Sequence, residues 1–175
     1  MAFERQSDCE RVREILESGG EHTCLVCRSG AQVKNAVHKL HLDLVVCGFK
    51  LLDESCEAVY YDLPQRCVML MVAPQAQLDL CEGTDIFKLP TPAHRSELLA
   101  SVRLLTQMIQ YRDYASTRRS QEERELVEQA KQLLMDRGGM TEEQAHRLLQ
   151  KRSMDRGARM ADTARQVLEE ISTGQ

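Results

Sequence analysis

The spacing of hydrophobic positions changes along this chain, and each change marks a different kind of structure. In the first half short helical stripes alternate with short apolar runs. Cys9 to Ser18 carries Val12, Ile15 and Leu16 at helical spacing and stops at Gly19-Gly20. Thr23 to Cys27 reads as a strand, Ala31 to Leu40 as a helix and Leu44 to Phe49 as a second strand. Val68 to Ala73, VMLMVA, is apolar without interruption, as in a strand covered on both faces. Ile86 to Leu89 supplies a last strand before Pro90 and Pro92. This rhythm predicts a doubly wound, flavodoxin-like parallel sheet. Its first strand should lie inside the sheet, and Ala2-Phe3 is a poor candidate for it, which leaves two alternatives: the strand is present, or the N-terminus is shortened and leaves a gap that a partner chain could fill.

From Arg95 onward the period becomes helical throughout. Leu98, Val102, Leu105 and Ile109 recur at steps of four and three, the spacing of a coiled-coil seam, and predict a dimer interface. The same register then meets Arg112, Ser116, Arg119 and Glu123, so the seam loosens and ASTRRSQEE reads as a solvated or hinged segment. Three short amphipathic helices follow. The first carries Leu126, Val127, Ala130, Leu133 and Leu134 and ends at Gly138-Gly139, where a left-handed cap wants no Cβ. The second opens on a capping box, Thr141 with Gln144, and turns Ala145, Leu148 and Leu149 inward. After Gly157, Met160, Ala161, Ala164, Val167, Leu168 and Ile171 line the third. The predicted organisation is an α/β unit over residues 1–92, a dimerisation helix and hinge over 93–121, and an all-α three-helix unit over 122–175.

Composition narrows what these units can do. A 175-residue chain with 42% hydrophobic residues supports a packed core, and a net charge of −4 means that any nucleic-acid contact must come from a local patch. Such a patch exists. Between Arg147 and Arg165, six cations (Arg147, Lys151, Arg152, Arg156, Arg159, Arg165) face two acids (Asp155, Asp162), an excess of four. No apolar run is long enough to span a membrane, and MAFERQSDCE lacks an export leader, so a cytoplasmic protein is expected. All seven cysteines lie in the first half, an odd set that reads as free thiols. Cys24 and Cys27 have metal-ligand spacing inside a strand-like run, where residues three apart point to opposite faces. Neither a metal nor another cofactor is expected.

The motifs AKQLLM (130–135), GMTEEQA (139–145), LLQKRSMD (148–155) and the Ala161/Ala164 pair resemble the ANTAR domain of AmiR- and NasR-type transcription antiterminators. That resemblance implies a three-helix RNA-binding module that holds paired stem-loops in a nascent leader transcript and so prevents a terminator from forming. Many members have Gly and Arg where this chain has Gln132 and Gln150. Outward-facing positions make Lys131, Arg137, Arg147, Gln150, Lys151, Met154 and Arg156 the candidate RNA contacts, cations for phosphate and Gln150 with Met154 for loop bases.

DLVVCGFKL (43–51) resembles the third strand of response-regulator receiver domains. The phosphate-accepting aspartate of such domains would fall at Gly48. The acidic pair that binds magnesium has no match in Met1 to Gln6, the switch Ser or Thr falls at Val72 or Ala73, and the usual Lys-Pro is replaced by Leu89-Pro90 or Thr91-Pro92, with Lys88 out of register. The resemblance therefore implies a pseudo-receiver that takes no phosphate and serves as a regulatory or docking domain, open to a regulatory protein partner. Two readings stand side by side: an RNA-binding antitermination regulator acting as a homodimer, and a protein-interaction adaptor whose basic face is incidental. An enzyme is disfavoured, because no catalytic constellation accompanies these motifs.

Overall fold

The computed structural model describes residues 1–173; residues 174 and 175, assigned above to the helical unit, lie outside them. The chain divides into two compact units, Met1–Tyr111 and Arg112–Gln175. The division falls well past the expected boundary at residue 92, for a reason that lies in the long helix described below.

The first unit is a parallel sheet with helices on both faces. Its elements are α1 (Gln6–Glu17), α2 (Gly30–Leu40), β1 (Leu44–Cys47), α3 (Cys56–Tyr61), β2 (Val68–Pro74), α4 (Gln75–Leu78), β3 (Phe87–Thr91) and the start of α5 (Arg95–Gly138). The strands run in the order β1-β2-β3, all parallel. β2 is the axis. Met69, Met71 and Ala73 face one core with Val45, Cys47, Val37 and Val59, while Leu70 and Val72 face the other with Val46, Val12, Leu16 and Leu98. A strand that alternates between two buried faces has no solvent side, which is why VMLMVA reads as an unbroken apolar run. β3 continues through Pro90 to Thr91; the missing donor costs little on an edge strand.

The N-terminus does occupy the first-strand position. Ala2 is fully buried and bridges Cys27 on one side and Cys47 on the other, both in parallel. Its N–H donates to Val46 O at 2.9 Å, its carbonyl accepts from Gly48 N at 3.0 Å, and Met1 O accepts from Cys27 N at 2.8 Å. The gap that a shortened N-terminus would leave is thus filled by the chain's own first residues. The expected strand Thr23 to Cys27 shortens to this one bridge at Cys27.

The largest correction concerns α5, a continuous helix of 44 residues. Leu98, Val102 and Leu105 are each no more than 3% exposed and pack with α1 and the sheet, and Ile109 is buried as well. They are core of the first unit and not a free seam. The first half of α5 covers one face of the sheet, so it belongs to the α/β unit, and burying each such side chain is worth about 1.5–3 kcal/mol. ASTRRSQEE, expected as a solvated or hinged segment, is helical with almost every residue exposed.

The second unit packs the end of α5 with α6 (Glu142–Arg156) and α7 (Met160–Thr173) around Ala130, Leu134, Ala145, Leu149, Ala164 and Val167. The local signals hold. Gly139 has φ +60° after α5, and Gly157 adopts φ 60° as the C-cap of α6. Both arms of the Thr141/Gln144 capping box are formed. Small residues at the centre, three of them alanines, let the helices approach closely.

Candidate functional site

Two regions carry the residues singled out by sequence. The first is the carboxyl end of the sheet, where doubly wound folds place their ligands. Gly48 stands at the end of β1, and a β-carbon added there would sit 3.1 Å from Phe3 Cδ1. No acceptor carboxylate is present at this position. Lys88 is turned away, its ammonium donating to Cys81 O at 2.6 Å. Asp53, five residues after Gly48, is held at the start of α2: its carboxylate accepts from the N–H groups of Gly30 at 2.7 Å and Ala31 at 3.2 Å, and the Gly30 bond in particular holds its pKa below the ordinary value. Among the described residues no three His, Cys, Asp or Glu side chains gather as a metal site. Cys27 is buried and Cys24 half-buried.

The second region is the polar surface of the three-helix unit. Lys131 was expected to point outward and does not. It is 7% exposed, and its ammonium reaches Glu128 at 3.0 Å and Glu142 at 2.7 Å. Lys131 sits where α5 meets the first turn of α6, so its stem is covered while its head meets the acids that favour that helix start. The hydrogen bond to Glu142, then that to Glu128, raises the Lys131 pKa; the same bond lowers that of Glu142.

The other candidates lie at the surface, in two groups. Arg137 donates to Ile171 O at 3.1 Å, and Arg147 pairs with Glu143 at 2.6 Å across one turn. Arg156 binds Gln166 and approaches Glu170 at 3.9 Å. Arg152, Arg159 and Arg165 are likewise paired, with Glu170, with Glu123 and Asp162, and with Asp162. Gln150, Lys151 and Met154 differ. All three are exposed, Met154 by 75%, and none has a hydrogen-bond or ion-pair partner among the described residues. They follow one another by one and three residues on the outer side of α6, opposite Ala145 and Leu149. Sequence reasoning missed Arg124, an exposed cation without an ion pair among the described residues, which lines a shallow depression with Val127, Arg159 and Met160. It opens the first predicted helix of the three-helix unit, apart from the charge cluster between Arg147 and Arg165.

Residues 115–168 match the ANTAR domain family. Over 54 residues the chain is 48% identical to the nitrate regulatory protein of Klebsiella oxytoca, covering 31% of this chain and 14% of that relative. The chain thus spans a small part of the relative's length. The α/β unit is similar to the signal receiver domain of a LuxO repressor protein from Vibrio parahaemolyticus, with a TM-score of 0.51 and 15% identity over 65% of this chain and 93% of that one. That likeness shows the fold alone. The chain carries an ANTAR domain over residues 115–168 behind a receiver-like α/β fold. No helix among the described residues is long and apolar enough to cross a membrane.

Proposed function

We propose that this chain is an RNA-binding transcription antiterminator, acting in the cytoplasm on paired stem-loops of nascent leader RNA, with a receiver-like unit that takes no phosphate. The observation that carries the reading is the outer face of α6 within the ANTAR domain, where Gln150, Lys151 and Met154 are exposed and unpartnered. A lone cation beside an amide and a thioether offers phosphate neutralisation and base-edge contact together. Arg137, Arg147 and Arg156 can add phosphate contacts only by exchanging partners they already hold. Lys131 positions α6 from beneath.

A homodimer would give two ANTAR domains for two stem-loops and multiply weak affinities through effective concentration. With Leu98, Val102 and Leu105 inside the core, the seam we propose shifts to the outer face of the same helix. Leu104, Met108 and Tyr111 are 57%, 45% and 76% exposed at steps of four and three. Such a stripe on a continuous helix is matched by its own copy.

The adaptor reading draws on a different observation, that most cations of the basic stretch are already paired with acids. Binding of the full chain to a paired stem-loop RNA, a duplex DNA and an unstructured RNA across a salt series separates the two. Salt-dependent binding of the paired stem-loops alone supports the antiterminator, and absence of RNA binding leaves the adaptor.

A further inference from the structure

The crevice left at the carboxyl end of the sheet is not empty of chemistry. A cavity of 290 Å³ opens there, bounded by the ends of β1, β2 and β3, the start of α1 and the segment after Ala2. Its floor includes Phe3, Val12 and Val72, and Gln77 and Thr91 add an amide and a hydroxyl. Five charged side chains line it: Arg5, Arg11 and Lys50 against Glu4 and Asp8. Asp8 already faces Arg11 at 3.7 Å. Arg5 and Lys50 have no ion-pair or hydrogen-bond partner among the described side chains, and they face a single unpaired acid, Glu4.

We propose that this cavity binds a compact anion, a dicarboxylate or a phosphate, without covalent chemistry. Gly48 offers no side chain to acylate or phosphorylate, and a side chain there would press on Phe3, so its absence leaves the mouth open. Two free cations and a hydrogen-bonding rim favour negative charge. A divalent cation is disfavoured by the same balance, since it wants several oxygen ligands and would meet Arg5 and Lys50. At position 5 the N-cap of α1 is an arginine that gives no side-chain cap, so the first-turn N–H groups add positive partial charge at the same cavity. The volume lies at the lower end of small-molecule pockets, about 300–1,000 Å³, which sets the ligand's size. Such an anion would give the receiver-like unit an input that does not depend on a phosphodonor. This inference rests on the α/β unit and stands apart from the RNA-binding reading.

The test is an NMR titration of the ¹⁵N-labelled full chain with succinate and with inorganic phosphate, each against sodium chloride of equal ionic strength and against uncharged succinamide. Saturable shifts of the Gly48, Lys50 and Thr91 amides with succinate or phosphate, and none with chloride or succinamide, are expected. The two anion arms tell carboxylate from phosphate. Arg5→Gln/Lys50→Gln, both exposed positions, should weaken binding by about tenfold or more, while the amide signals of β2 stay in place to show that the fold persists. Absence of a saturable shift with either anion, equal shifts with chloride or succinamide, or full affinity in the folded double variant would each overturn the assignment.

Discussion

Lys131 Nζ lies 2.7 Å from Glu142 Oε1, and this contact ties the end of α5 to the first turn of α6. The three-helix unit that holds the pair has a core centred on Ala130, Leu134, Ala145, Leu149, Ala164 and Val167.

Its pH dependence follows from the directions of the two shifts. Glu142 has its pKa lowered from 4.5, so its contribution is present above that value and is lost as pH falls through the lower folded value. Lys131 has its pKa raised from 10.5, so its contribution is complete below that value and is lost as pH rises through the higher folded one. Thermal unfolding of the wild type and of Lys131→Met/Glu142→Gln should therefore differ most between these limits and converge in acid. A difference that is flat from neutral pH to strong acid would show that the pair contributes no electrostatic stability.

Lys151→Gln should lower the salt slope of RNA binding by roughly one unit, because a cation with no internal partner gives a whole counterion-releasing contact. Arg147→Gln should change the slope less, since Arg147 is held by Glu143 before RNA arrives. Gln150→Ala and Met154→Ala should alter discrimination among loop sequences at constant slope. Filter binding across a salt series reads all three effects; equal slopes in every folded variant would remove this face of α6 from RNA recognition.

Charge on the two faces of α5 should have opposite consequences. Leu104→Asp/Met108→Asp should yield monomers with an unchanged melting temperature of the α/β unit. Leu105→Ala should instead cost about 2–5 kcal/mol of stability while leaving the oligomeric state alone, because Leu105 fills the core between α5 and the sheet. Sedimentation velocity and thermal melts of the same samples check both. A dimeric Leu104→Asp/Met108→Asp variant would place the interface elsewhere.

Acetyl phosphate with magnesium should leave the intact mass, oligomeric state and RNA affinity unchanged, because Gly48 has no carboxylate to accept phosphate. Intact mass spectrometry checks the first directly, and an acid-labile gain of one phosphate would overturn the pseudo-receiver reading.

Thr141→Ala should cost about 1 kcal/mol of the three-helix unit's stability by removing the hydroxyl that accepts from Gln144 N, whereas Thr141→Ser should restore most of it. Chemical denaturation followed by circular dichroism reads the difference.

Much of this molecule is written in short-range pattern. The capping box at Thr141, the glycines at 139 and 157 and the doubly buried run of β2 depend on residues within a few positions of each other, so sequence alone places them. The ANTAR motifs are legible for the same reason: they occupy one contiguous stretch. Where the sequence misleads, the deciding partner is far away along the chain. A stripe at steps of four and three serves a coiled coil or a helix lying on a sheet equally well, and only the apolar face presented by Val46, Leu70 and Val72 decides that Leu98, Val102 and Leu105 turn inward. Ala2 has no periodicity to read, since a one-residue bridge exists only because Cys27 and Cys47 arrive on either side of it. Lys131 follows an inward alanine and reads as outward on a lone helix. It becomes buried because α6 returns to place Glu142 over it, and that return is a property of the packed helices and not of any local run of residues.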